Sequence, residues 1–117
     1  MTDLIAFLST GKGTWGQVTG LINADSWDKI YLLTNDFGKE KFTAAENTEL
    51  IVVNSSASEE ELRDEIAGII KEKVKDEIAV NFVSGTGKEH MALVSALMKS
   101  GVGFRFVTNT DEGIKEL

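Results

Sequence analysis

Apolar residues along this chain come in short runs broken by glycine, serine and asparagine, and the spacing within the runs alternates. Leu4-Ile5-Ala6-Phe7-Leu8 is apolar without interruption and stops at Ser9-Thr10-Gly11-Lys12-Gly13. Such a run predicts a strand buried on both faces, leading into a glycine-rich turn. Trp15, Val18, Leu21 and Ile22 then recur at helical spacing, which predicts a short helix in spite of Gly16 and Gly20. A second strand is expected over residues 29–34, between the polar turn Ala24-Asp25-Ser26 and Asn35-Asp36, and a weaker helix over residues 39–46.

Leu50-Ile51-Val52-Val53 reads as the third strand. Ser58 followed by Glu61 is a capping box, in which the serine accepts the amide of Glu61 and the glutamate reaches back. Leu62, Ile66, Ile69, Ile70 and Val74 keep to one face of the helix it starts, with acids leading and Lys71, Lys73 and Lys75 trailing toward the negative end of the dipole. A fourth strand over residues 78–83 ends in Ser84-Gly85-Thr86-Gly87 and runs into a helix carrying Met91, Val94, Leu97 and Met98, which Ser100-Gly101 stops. A fifth strand is expected over residues 103–108, and residues 109–117 read as a short polar tail.

Strands alternating with helices require crossover connections, so the sheet should be parallel and covered on both faces. The expectation is one α/β domain over residues 1–117, a three-layer Rossmann-like fold with five strands in the order 3-2-1-4-5. In that order strands 1 and 4 are neighbours at the switch point, where ligands bind beyond the carboxyl ends. The stretch Phe7-Leu8-Ser9-Thr10-Gly11-Lys12 is echoed by Phe82-Val83-Ser84-Gly85-Thr86-Gly87-Lys88, so the same kind of strand end occurs on both sides of that point.

Composition narrows the chemistry. The 117 residues hold no cysteine and one histidine, which excludes a disulfide framework, a thiolate metal site and a multi-histidine centre within one chain. No metal and no cofactor is expected. Without an apolar run of about 18 residues or a signal-peptide start, no membrane association is expected and the cytoplasm is the expected compartment. The net charge of −7 speaks against extended DNA or RNA binding. Its distribution is uneven: residues 25–77 hold 14 acids and 7 bases, and the rest hold 5 of each. Residues 4–24 carry no acid and only Lys12, and residues 78–88 carry no acid and only Lys88. Those two windows can accept an anion.

Each window supplies small residues that let backbone amides approach a ligand, hydroxyls at Ser9, Thr10, Thr14, Ser84 and Thr86, one lysine, and the start of a helix. That chemistry suits a phosphate or phosphodiester. The second loop ends in Gly87-Lys88 like a P-loop, but Phe82 stands where its first glycine belongs and Glu89 where a magnesium-binding hydroxyl belongs, so an NTPase is rejected. Gly11, Gly13 and Gly16 fit the dinucleotide fingerprint, with only Asp36 as a candidate ribose ligand. His90, in the first turn of its helix, reads as an exposed bystander more readily than as a ligand contact. Trp15 and Trp27 read as packing anchors, and Arg105, between Phe104 and Phe106, as an inward or edge charge.

The strand ending Ser9-Thr10-Gly11, together with Asn81-Phe82-Val83-Ser84-Gly85-Thr86-Gly87-Lys88 running into Met91-Ala92-Leu93-Val94, resembles the CRISPR-associated Rossmann-fold (CARF) domains. The resemblance covers most of the chain in order of elements, and these two loops carry its specificity. It departs in the order Gly-Thr-Gly-Lys and in having no attached effector domain. It implies a homodimer that binds cyclic oligoadenylate across its two-fold axis, with Ser9, Thr10, Gly11, Lys12, Gly13 and Thr14 from the first loop and Ser84, Gly85, Thr86, Gly87 and Lys88 from the second at the ligand. It also implies a stand-alone sensor or metal-independent ring nuclease, or a piece of something longer, and in the nuclease Lys12 and Lys88 stabilise charge while a ribose 2′-hydroxyl attacks its own phosphate. The other expectation is a small α/β enzyme or binding protein for a mononucleotide or sugar phosphate.

Overall fold

The computed structural model describes residues 2–9 and 12–117, with the backbone alone at Lys12. Its strands are β1 (Asp3–Phe7), β2 (Ile30–Thr34), β3 (Thr48–Val52), β4 (Ile78–Asn81), β5 (Phe104–Thr110) and β6 (Gly113–Glu116). Its helices are α1 (Trp15–Asn23), α2 (Asp36–Lys41), α3 (Glu59–Lys73) and α4 (Gly87–Ser100), with a single 3-10 turn at Lys12–Thr14 leading into α1. The strands form one sheet in the order β3-β2-β1-β4-β5-β6, parallel throughout except for the antiparallel pair β5–β6.

The continuous apolar runs are the central strands because both of their faces meet helices. Ile5, Phe7, Leu33, Ile78 and Val80 point toward α3 and α4, where they are buried with Leu62, Ile66, Ile70, Leu93 and Leu97. Leu4, Ala6, Leu8, Leu32 and Ala79 point the other way, against Val18 and Leu21 of α1 and against Trp27. Burying one such aliphatic side chain contributes about 1.5–3 kcal/mol, so these two clusters are what offset the chain entropy lost on folding. Trp15 and Trp27 pack as expected and both anchor a carbonyl: the Trp15 indole donates to Ser9 O at 2.9 Å and the Trp27 indole to Leu21 O at 3.1 Å.

The capping box at the start of α3 is present, with Ser58 Oγ accepting from Glu61 N at 3.2 Å and Ser58 N donating to Glu61 Oε1 at 3.4 Å. Helix α4 carries a second one, Thr86 with Glu89, and ends at Gly101 in the left-handed conformation, φ +70°. Elsewhere the elements shift from the expected positions for local reasons. Asn35 caps the second helix by accepting from Gly38 N at 2.9 Å, so α2 starts three residues earlier than expected and ends at Lys41 instead of Glu46. Strand β4 stops at Asn81 because that side chain replaces the ladder: its Oδ1 accepts from Val83 N at 2.8 Å and its Nδ2 donates to Val107 O at 2.8 Å.

Two further corrections concern the carboxyl-terminal part. The expected polar tail contributes a sixth strand, since Thr110 Oγ1 donates to Gly113 O at 2.8 Å and closes a tight hairpin that returns Ile114 to the sheet. Arg105 is not a free charge: it pairs with Glu77, lies 3.3 Å from Glu116, and donates to Thr2 Oγ1 at 3.0 Å. Among the described residues no helix is long and apolar enough to cross a membrane.

The approach of α2 to β2 is tight. Thr34 is buried, its hydroxyl donates to Leu8 O at 2.9 Å, and a Cβ added at Gly38 would collide with that hydroxyl. Gly38→Ala should therefore lower stability by about 1–3 kcal/mol, the usual range for overpacking, read as a fall in the urea midpoint. Thr34→Ala in the same chain should recover part of it, by giving the new methyl room.

Candidate functional site

The carboxyl ends of β1 and β4 are neighbours in register, Ala6 beside Asn81, and the two glycine loops leave the sheet there side by side. They are joined through one oxygen. Ser84 is only 2 % exposed, and its Oγ accepts from Ser9 N at 2.7 Å and from Thr14 Oγ1 at 2.7 Å. The Ser9 hydroxyl lies 3.3 Å from that of Thr14, which completes a small network between residues 75 apart in the chain. Three of the five hydroxyls expected at a ligand therefore meet one another.

The second loop has little freedom. Gly85 has φ +107°, and a Cβ there would come within 2.9 Å of both Phe7 Cβ and His90 Nε2, so the position requires glycine. Thr86 caps α4 by accepting from Glu89 N at 3.2 Å and from His90 N through its carbonyl at 2.9 Å. Among the described residues nothing engages the amides of Gly87 and Lys88, which leave the helix end as open donors. Gly87 and Gly13 both have open space where a side chain would begin, and Lys88 is half-buried. Thr86 and Gly13 are exposed. Thr10, Gly11 and the Lys12 side chain lie outside the described residues.

Two findings were not legible in the spacing of residues. The acid-free second window does not stay acid-free once folded, because Glu89 turns back into it: its Oε1 accepts from Thr86 N at 2.8 Å and its Oε2 from Ser55 Oγ at 3.0 Å. A carboxylate thus already complements the positive end of α4, and an incoming anion must share that end with it. His90, in turn, is no exposed bystander. Its ring stacks on Phe82 with centroids 4.1 Å apart and 9° between planes, meets the edge of Phe7, and places Nε2 2.8 Å from Ser84 O. A carbonyl oxygen only accepts, so Nε2 carries a proton and cannot act as a base. The one hint in the sequence was Phe82 itself, an aromatic residue just beyond β4, whose face the His90 ring covers.

A second concavity adjoins the loops. A pocket of about 340 Å3 opens between the first half of α1 and the carboxyl ends of β4 and β5, on the face of the sheet opposite α4. Groups with displaced pKa values are far from both: burial first, then Asp3 and Glu49, push the Tyr31 phenol up, and the hydrogen bond to Glu49 raises Lys73. Tyr31 reaches the carbonyl of Lys73 at the end of α3, at the amino edge of the sheet. Among the described residues there is no cluster of three or more potential metal-ligating side chains.

No known family model matches the chain, and no curated protein matches its sequence. What defines the site is its geometry: a locked junction of two strand ends, two open helix-end amides, one half-buried lysine and a neighbouring pocket.

Ser84→Ala should cost about 1–3 kcal/mol, since it leaves the Ser9 amide and the Thr14 hydroxyl without their acceptor in a part-buried junction. Chemical denaturation measures this, and a loss below 0.5 kcal/mol, roughly the floor for a hydrogen bond, would show that the junction is held by something else. Glu89→Gln keeps the capping geometry while removing the charge, so the thermal midpoint should move little and inorganic phosphate should bind more tightly.

Proposed function

We propose that this protein is a nucleotide-sensing domain that binds a cyclic oligoadenylate across the two-fold axis of a homodimer in CRISPR signalling, with slow metal-independent cleavage of the ring as a second property. The observation that carries the reading is the meeting of the two glycine loops at the β1–β4 switch point, with the Gly87 and Lys88 amides open beside the Lys88 side chain. Doubly wound sheets bind ligands at such a point, and a helix N-terminus favours a phosphate. The resemblance to CARF domains rests on these same loop residues.

A two-fold arrangement gives a cyclic polyanion two identical clefts, which matches the symmetry of the ring. Support for dimerisation comes from α4, which begins at the second loop and carries two exposed methionines, Met91 at 61 % and Met98 at 69 %, seven residues apart on one face. Methionine is an adaptable packing residue, and two on one helical face supply an apolar stripe beside the cleft.

Cleavage would need no outside nucleophile. The ribose 2′-oxygen attacks the adjacent phosphorus, the P–O5′ bond breaks, and the proton lost from the 2′-hydroxyl ends on the leaving 5′-oxygen. The products are a 2′,3′-cyclic phosphate and a 5′-hydroxyl. Alignment of the ribose by the locked loops and stabilisation of the phosphorane charge by Lys12, Lys88 and the open amides are the protein's contribution. His90 offers no base through Nε2, which is held by Ser84 O. Without a positioned base the rate should be low.

The reading is tested by calorimetric titration with cyclic oligoadenylates of different ring sizes beside 5′-AMP. One ring size should bind, with one ring per two chains. Lys88→Ala should weaken that binding at least about tenfold, or roughly 1.4 kcal/mol, and make it less dependent on salt. Lys12→Ala should slow any turnover strongly. Binding of 5′-AMP in preference to every ring would favour the mononucleotide reading, and a ring affinity unchanged in Lys88→Ala would overturn the site.

A further inference from the structure

A groove of about 480 Å3 lies between the carboxyl-terminal ends of α3 and α4, at the far end of α4 from the second glycine loop. Its floor, among the described residues, is aliphatic: Ile70 and Val74 are buried, and Ala67 and Val102 are partly buried against the same core. The charge is at its rim. Lys71 from α3 and Lys99 from α4 line it and are exposed, with the Ser100 hydroxyl beside them. In a protein with 19 acids, neither lysine has a hydrogen bond or an ion pair among the described residues, whereas Lys73 on the same helix is held by Glu49.

Lysines near a helix carboxyl end complement its dipole, but here the last carbonyls are met by other groups. Leu97 O accepts from Val102 N and Met98 O from Gly101 N, each at 3.3 Å, Ile70 O accepts from Val74 N at 2.8 Å, and Lys73 O accepts from the Tyr31 hydroxyl at 3.4 Å. The two helix ends together amount to about one negative charge, which two ammonium groups outweigh. The rim is therefore net positive.

Gly68 lines the same groove, and the fold does not require a glycine there. It is exposed in the interior of a 15-residue helix, and an added Cβ would meet nothing within 4 Å among the described residues. Gly38 and Gly85 differ, since a Cβ at either would collide. A glycine inside a helix weakens it relative to alanine, so this one carries a cost that packing does not explain. Its missing side chain leaves the groove open at that point.

An aliphatic floor under two unpaired cations fits a ligand with an alkyl chain and one anionic head. The volume falls within the range of small-molecule sites, about 300–1,000 Å3. The α3 wall from Ala67 to Val74 is about 10 Å long at a rise of 1.5 Å per residue, which seats a short chain and leaves a long one overhanging.

We propose that this groove binds an aliphatic monocarboxylate of medium chain length, with its chain on Ile70, Val74 and Val102 and its carboxylate at Lys71 and Lys99. The site is separate from the glycine loops, and the proposal goes beyond the function read from them. Charge selects the occupant: a neutral alkyl ligand leaves both lysines unanswered, an alkylammonium meets repulsion, and a carboxylate gains both contacts.

The test is a titration of the full chain with octanoate, hexanoate, octanol and octylamine, followed by amide-resolved NMR. Octanoate should move the signals of residues 67–74 and 99–102 and leave those of residues 84–88 in place. Hexanoate should bind more weakly, by up to about fourfold per methylene lost. Octanol should bind at least about fourfold more weakly than octanoate, and octylamine more weakly still. Lys71→Gln and Lys99→Gln should each weaken octanoate about two- to fivefold, as loss of an exposed ion pair does, without altering octanol. Gly68→Phe puts a ring into the groove and should abolish octanoate binding, while Gly68→Ala should raise the thermal midpoint. Circular dichroism checks each fold, and the lysine variants carry the test if Gly68→Phe does not fold. Equal binding of octanoate, octanol and octylamine, signals moved only elsewhere in the chain, an octanoate affinity unchanged in both lysine variants, or no octanoate binding overturns the proposal. Tighter binding of N-acetyl-isoleucyl-leucine than of octanoate would make the occupant a peptide carboxyl terminus and overturns the aliphatic one.

Discussion

The Ser84 hydroxyl oxygen, shut away from solvent and holding two donors from the other loop, sets the geometry on which the rest of the carboxyl edge depends. Parallel strands bring β1 and β4 into contact, but a strand pair alone leaves its exit loops free to splay. Here the exit of β1 is pinned at Ser9 and again at Thr14, on either side of the turn, by an atom belonging to the exit of β4. The second loop is pinned in turn by the His90 contact with Ser84 O and by the crowding that admits only glycine at position 85. Ser9, Thr14 and the second loop cannot move without exposing part-buried polar groups. The open amides of α4 are thereby presented in one arrangement before any ligand arrives, which reduces the ordering cost of binding.

The two faces of the sheet differ in kind. On one, α3 and α4 pack closely together over aliphatic side chains, and the upper end is finished by Phe7, Phe82 and the His90 ring. On the other, α1 is short and carries Gly16 and Gly20, so it covers β1 well and leaves a hollow against β4 and β5. One face supplies rigidity and the other supplies space. Glu89 marks the boundary: its carboxylate serves the capping box and Ser55, which strengthens α4 while moderating the pull of that helix on anions.

Much of this was legible in the sequence, and what was missed depended on partners that the pattern of apolar residues does not record. Uninterrupted apolar runs announced the parallel strands, because a strand covered on both sides has no polar alternation to lose. The Ser58–Glu61 box announced the start of α3 to the residue, since capping is a local interaction between neighbours in the chain. The adjacency of the two glycine loops followed from strand order. Three of the readings that needed correction turned on side-chain contacts that spacing does not show: Glu89 to Ser55, His90 to Ser84 O, Arg105 to Glu77 and Glu116. The sixth strand was missed because Gly113–Glu116 carries one aliphatic residue, Ile114, and is held by pairing to β5 rather than by its own pattern.

The hairpin of β5 and β6 also has a bearing on how the chain finds its shape. Among the described residues it is the only strand pair joined by a tight turn, while β1 must meet β4 across some 75 residues. Hairpins of this kind close in about 1–10 microseconds, whereas distant parallel pairing waits on the ordering of everything between. The carboxyl-terminal hairpin can therefore form early, as a preformed edge, while the central β1–β4 pair waits on the ordering of the chain between its strands. The two glycine loops would be brought together only when the whole sheet is in place, so a chain that has not finished folding lacks the junction that Ser84 makes between them.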